Sequence, residues 1–180
     1  SQLERVHPSH YIDWLASRSP KDESVSLDED TFMNAHTLRA AYLAAGSVII
    51  AVDLVMAGHA QAAFCNVRPP GHHAESAKAM GFCFFNNVAI GVQHAMEKHN
   101  IKRVAIIDFD VHHGNGTQEI FQRNEQVMLC SSFEHPLYPG YEPTQDNKHI
   151  INVPLTAGMQ GDMFREKVTA AWVDALDAFR

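Results

Sequence analysis

The stretch Val104-Ala105-Ile106-Ile107-Asp108-Phe109-Asp110-Val111-His112-His113-Gly114-Asn115-Gly116 decides the fold. Its first half is apolar and rich in β-branched residues. That is the composition of a central parallel strand covered on both faces. Asp108, Asp110 and His112 follow at intervals of two, and side chains so spaced in extended backbone project to one side. Carboxylate and imidazole are ligands for a first-row metal, and hard oxygen with borderline nitrogen suits zinc. Open α/β sheets place their chemistry at the carboxyl ends of strands, which is where the cluster falls. The glycines after it let the chain turn sharply away.

A second cluster lies upstream in Arg68-Pro69-Pro70-Gly71-His72-His73-Ala74. Two prolines restrict the backbone entering the loop, and Gly71 frees it just before the histidine pair. Tandem histidines held this way can supply a general base and a general acid, provided each ring has a partner to orient it. Asp108 and Asn115 are candidate partners. A carboxylate behind an imidazole favours the protonated ring, whereas an amide only orients it. The two rings are therefore expected to differ in protonation.

Working outward, strand and helix alternate. Residues 34–56 read as a long helix with Gly58 just past its end. Residues 62–67 read as a strand feeding the proline loop, and 86–98 as a helix stopped at Asn100. Residues 103–109 form the strand that leads to the metal cluster, and 117–123 a short helix. Two further strands are expected at 126–131 and 150–153, the latter ended by Pro154, and a last helix at 161–179. Residues 20–30 are polar and acidic and read as loop. The alternation argues for an α/β fold: a parallel sheet with crossover helices on both faces.

The chain has 180 residues, enough for one domain with a core, and carries a formal net charge of −7. That charge excludes an electrostatic case for nucleic-acid binding. The most apolar run, 40–57, is interrupted by Tyr42, Gly46, Ser47 and Asp53, so no membrane span is expected. No signal core opens the sequence, and three widely spaced cysteines read as reduced thiols, so a cytoplasmic location is expected.

RPPGHHA, then Gly81-Phe82-Cys83-Phe84-Phe85-Asn86-Asn87, then DFDVHHGNGTQ, resembles the zinc-dependent histone deacetylase superfamily in motif, order and spacing. That superfamily includes histone deacetylase-like and acetylpolyamine amidohydrolases. The forms with Asn115 resemble its class II branch. The resemblance implies an arginase/deacetylase-like α/β fold, incomplete in this chain. Residues 1–180 would form a single domain covering roughly the first half of the family's catalytic domain, truncated at both ends. A third zinc ligand and a carbonyl-polarising tyrosine would lie outside it.

The roles implied by the resemblance are these. Asp110 and His112 would hold one zinc ion. His73 would be the general base, with Asn115 behind it, and His72 would tune charge, with Asp108 behind it. Gly81 and Phe82 would line a narrow substrate channel, with Tyr138 as a further wall. A structural potassium ion would sit near Asp108, Asp110, His112, Ser131 and Ser132, partly on backbone carbonyls. A second would use backbone at Phe121, Asn124 and Val127. Cys83 is expected as a small buried side chain, Glu75 as a solvated loop acid, and Phe84 and Phe85 as core.

The expected activity is zinc-dependent removal of an acetyl group from acetyl-lysine in a peptide or protein, or from a related acetylated amine. The alternatives are an acetylpolyamine deacetylase and a non-catalytic binding module. By analogy with relatives, a homo-oligomer is expected.

Overall fold

The amide-to-carbonyl ladder of a parallel sheet organises the second half of the chain. In the computed structural model, which describes residues 1–140 and 147–180, strands β3 (Val104–Asp108), β4 (Val127–Glu134) and β5 (Ile150–Leu155) lie side by side in that order. Both pairings are parallel, with Ile106 opposite Leu129, Asp108 opposite Ser131, and Ser132 opposite Val153. β4 is the inner strand, and its residues from Val127 to Phe133 are all buried. Helix α5 (Gly161–Phe179) packs Val168 and Trp172 against Met128, Cys130 and Val153. This parallel α/β arrangement agrees with the strand–helix alternation of the sequence.

The first half is helical. Helices α1 (Ser9–Arg18), α2 (Thr37–Met56) and α3 (Asn87–His99) surround a core of Tyr11, Leu15, Met33, Ala41, Ala45, Phe84, Phe85 and Ile90. A short hairpin pairs β1 (Val25–Ser26), within the stretch 20–30 expected as loop, with β2 (Phe32–Met33) just beyond it. Helix α4 (Asn115–Phe121) follows the metal-cluster loop. The described residues form two compact units. One is Ser1–Ile101 with Asn115–Ile120, and the other is Lys102–Gly114 with Phe121–Arg180.

Helix ends obey local chemistry. Asn86 caps α3 by accepting the Ala89 N–H, and Asn100 closes it in the left-handed region. Gly58, at φ +72°, ends the turn after α2.

Four expectations need correction. β3 is hydrogen-bonded to β4 alone among the described residues, and Ile107 is 42% exposed, so the strand is not covered on both faces. Residues 62–67 join no strand among the described residues, because an extended segment becomes a strand only by pairing. Pro154 lies inside β5 rather than ending it, which an edge strand tolerates because one row of its N–H groups needs no partner. Finally, α2 is long and apolar enough to cross a membrane by length and composition. Of the interruptions, Tyr42, Gly46 and Ser47 cost little in such a run, while the charged Asp53 lies in the last turn of the helix. It buries Ala41, Ala44 and Ala45 on the core side and leaves Leu43 64% and Ile50 60% exposed.

Candidate functional site

Four backbone carbonyls or amides of the histidine loop are held from α3 and α4. Asn87 Nδ2 donates to Pro69 O (3.1 Å), and Asn86 Nδ2 to Ala74 O (3.2 Å). The Thr117 amide donates to His72 O (3.1 Å), and Glu119 accepts from both the amide and the hydroxyl of Ser76. Gly71 and Gly116 make the close approach possible. A Cβ on Gly71 would lie 2.6 Å from the Asn87 nitrogen, and one on Gly116 would lie 2.2 Å from Ala74 O. The loop is therefore fixed by backbone contacts that admit no side chain.

On this frame the rings of His72 and His73 stand 4.1 Å apart, tilted by 45°. His73 is 4% exposed. Its Nδ1 lies 2.9 Å from Asn115 Oδ1. An amide oxygen only accepts, so Nδ1 carries a proton and the lone pair of the neutral ring resides on Nε2. Asn115 Nδ2 in turn donates to Glu75 Oε1 at 3.0 Å and faces Met80 Sδ at 3.4 Å. Glu75 was expected as a solvated loop acid; it is half-buried and engaged with the amide.

Gly81 and Phe82 adjoin His73 in the same unit. Gly81 packs so tightly on His73 that a Cβ there would lie 2.4 Å from the ring's Cδ2. Both residues sit in the left-handed region, at φ +57° and +64°, a conformation uncommon for phenylalanine. Asp30 and Thr31 support it, accepting the Gly81 amide at 3.3 Å and the Phe82 amide at 3.1 Å. Phe82 is 60% exposed, Cys83 is buried with its thiol on Gly81 O, and Phe84 and Phe85 are core. Asp30 and Thr31 carried no signal that sequence spacing could detect.

The other unit carries the acidic cluster. β3 ends at Asp108, so Asp110 and His112 lie in the following loop rather than on an extended strand. Two successive turns bring them together instead. The Asp110 amide donates to Asp108 Oδ1 (3.1 Å), and the His112 amide to Asp110 Oδ1 (2.8 Å). Aspartate side chains bond the backbone two residues on, so the i, i+2 spacing converges through turns and not through the pleat. His112 Nδ1 stands 3.3 Å from Asp110 Oδ1. Around a tetrahedral ion at zinc distances two ligand atoms stand about 3.3–3.5 Å apart, so the pair fits a shared metal. His113 turns the other way, onto the Phe133 ring.

The ring of Tyr138 meets His112 edge-on at 5.8 Å. Ser131 and Ser132 are buried, and their hydroxyls have no hydrogen-bond partner among the described residues. An opening of about 310 Å³ lies at the carboxyl ends of the strands, lined by Phe109, Asp110, Ser132, Glu134 and Phe164 among others. Phe121 O accepts from the Asn124 amide and from His149 Nε2, and Asn124 O accepts from the Val127 amide.

A further trio has ligand atoms within 4.8 Å of one another: Asp53, His94 and His99. Its chemistry opposes a metal. The Arg5 guanidinium donates to His94 Nδ1 (2.8 Å), so His94 Nε2 carries the proton and donates to Asp53 (2.7 Å), as does His99 Nε2 (2.7 Å). These bonds hold the Asp53 carboxyl below its ordinary range and tie α2 to α3.

The histone deacetylase domain family matches residues 1–180. The chain is 38% identical to the histone deacetylase-like amidohydrolase of Pseudomonas aeruginosa, over 99% of its own length and 48% of the relative's. It is 38% identical to a probable deacetylase of Archaeoglobus fulgidus, over 85% of its length and 44% of that protein. Among solved structures, the HDA15 HD domain superposes with a TM-score of 0.91 at 36% identity, covering 99% of this chain and 53% of that one. The acetylpolyamine aminohydrolase of Burkholderia pseudomallei superposes with a TM-score of 0.86 at 28% identity, covering 99% and 62%. The chain thus spans about half the length of the first curated relatives it matches.

Proposed function

The chain belongs to the histone deacetylase domain family, and from that premise we propose that it contributes to a zinc-dependent amidohydrolase that removes an acetyl group from acetyl-lysine or a related acetylated amine. The observation that carries this is the 3.3 Å separation of Asp110 Oδ1 and His112 Nδ1, which suits two ligands of one tetrahedral ion. When bound there, zinc supplies Lewis acidity toward an amide carbonyl and lowers the pKa of water.

The chain's own side chains then divide the work. His73, with its proton held on Nδ1 by Asn115, keeps a basic Nε2 to take a proton from the attacking water and to return one to the leaving amine. His72, next to it, modulates the charge at His73. Phe82, exposed beside the backbone of Gly81 that packs on His73, offers an apolar wall for a methylene stem, and Tyr138 offers an aromatic ring beside His112.

We also assign a potassium ion to carbonyls at Asp108, Asp110 and His112 with Ser131 and Ser132, and a second to backbone at Phe121, Asn124 and Val127. The buried serine hydroxyls support the first. Family membership over both units supports reading residues 1–180 as parts of one domain.

A second substrate class, acetylated polyamines, is favoured by the likeness to a solved acetylpolyamine aminohydrolase and by the net charge of −7. The deciding experiment measures acetate release by the full-length protein from an acetyl-lysine peptide and an acetylated polyamine, side by side. Release dependent on zinc is expected, and the preferred substrate assigns the class. No release from either, with zinc present, would overturn the proposal.

A further inference from the structure

We propose that Glu75 is a positioning residue: its carboxylate fixes the Asn115 amide so that His73 is held as a neutral base with its lone pair on Nε2. The proposal rests on the assignment of His73 as the base.

The geometry is a relay of three groups within one unit. His73 Nδ1–H donates to Asn115 Oδ1 (2.9 Å), and Asn115 Nδ2 donates to Glu75 Oε1 (3.0 Å). An asparagine amide has two orientations, which differ by exchange of oxygen and nitrogen. In the observed one, Nδ2 also lies 3.5 Å from the His73 carbonyl oxygen. In the reverse one, Oδ1 would face both that carbonyl and the Glu75 carboxylate, two acceptors with no proton to offer. Nδ2 would then face His73 Nδ1 and force the ring's proton onto Nε2, removing the basic lone pair. Asn115 is only 6% exposed, so water cannot compensate for the reversed amide. Glu75 is itself tied down, because its amide donates to Lys78 O at 3.0 Å in a tight turn.

The same contact explains why an amide stands at residue 115. An aspartate there would place a second carboxylate oxygen about 3 Å from Glu75, and two carboxylates at that distance do not both ionise. Glu75 and Asn115 therefore form a matched pair. Glu75 also places a negative charge two hydrogen bonds from His73, which favours the protonated ring. Of the neighbouring titratable groups in this unit, His72 lies beside the ring, Asp30 accepts the Gly81 amide and Glu119 accepts from Ser76.

Four variants of the full-length protein test this: Glu75→Gln, Glu75→Ala, Asn115→Asp, and Asn115→Asp with Glu75→Gln. Two readouts are used. One is the ¹⁵N signals of the His73 ring in the zinc-free protein, which report the tautomer. The other is kcat/KM against pH. Glu75→Gln keeps an acceptor for Asn115 and loses the charge. The Nδ1–H tautomer is retained, and the acid limb of the pH profile moves to lower pH because the protonated ring is less favoured. Glu75→Ala loses both, so the tautomers mix and kcat/KM falls by about 10- to 100-fold, as for loss of other residues that orient an active-site imidazole. Asn115→Asp alone is impaired above neutral pH, and adding Glu75→Gln restores it, because the glutamine amide donates to the new carboxylate.

Unchanged tautomer and pH profile in both Glu75 variants would overturn the proposal, as would a fully active Asn115→Asp single variant. His73→Ala separates the two ideas. If it retains turnover while Glu75→Ala still mixes the tautomers, the assignment of the base fails and the positioning by Glu75 stands.

Discussion

Gly116 marks the point where α4 meets the histidine loop, since a methyl group there would collide with Ala74 O at 2.2 Å. Backbone cannot yield as a side-chain tip can. Gly116→Ala is expected to cost about 2–4 kcal/mol through overpacking, read as a lower denaturation midpoint. Gly81→Ala meets the His73 ring itself and must also adopt φ +57°, so turnover should drop more than stability. Replacing His73 with alanine should reduce turnover by at least ~100-fold with zinc content unchanged by mass spectrometry. A variant with near-native turnover would remove His73 from the mechanism. His72, His73, Asp110, His112 and Asn115 stood out in the sequence as candidates by residue type and spacing, whereas Gly81 and Phe82 did so only through the family resemblance. Glu75, Asp30 and Glu119 did not stand out. Whether an acid is solvated or accepts a buried amide depends on what packs over it, and no local spacing records that.

Asn86 shows how one residue can serve an element and the loop beside it. It caps α3, holds Ala74 O, and donates to Thr117 Oγ1 (3.1 Å) while fully buried. Asn86→Ala should cost about 2–3 kcal/mol, more than an ordinary cap, because buried partners are left unsatisfied; denaturant unfolding measures it. His7 anchors the same region, with Nδ1–H donating to Ser76 O (2.9 Å) and Nε2 accepting the Asn86 amide (3.0 Å). The Nε2 bond needs the neutral ring, the Nδ1–H bond does not, and burial pushes the pKa below the ordinary 6.5. The unfolded chain therefore binds a proton that the folded chain refuses as pH falls through about 6.5. The stability contributed by neutral His7 is complete above that pH and declines below it, down to the folded-state pKa. Unfolding midpoints between pH 5 and 8 should show this slope, and His7→Gln should flatten it. Helices α2, α3 and α5 were readable from periodicity and stop signals. Helix α1 was not, since its buried face consists of Tyr11 and Leu15 alone.

Taken as a whole, the molecule is acidic, at −7, and opposite charges are drawn to it over a Debye length of about 8–10 Å at ordinary salt. If acetylated polyamines are substrates, their kcat/KM should fall as salt is raised from 20 to 300 mM, with a neutral acetylated amine little affected. Equal salt dependence for both would rule out steering. By itself the sequence determined the parallel α/β class, the order of the motifs, and the side chains able to ligate a metal or move a proton. All of these follow from residue type and local spacing, which act within a few residues along the chain. Only the tertiary structure decided that β3 pairs with β4 alone among the described residues, that Asp110 and His112 converge through turns, and that Glu75 orients Asn115. The pairing of β3 and the Glu75–Asn115 contact depend on groups up to 40 positions apart that only packing brings together, while the Asp110–His112 approach rests on local turns that residue type alone did not distinguish from an extended strand.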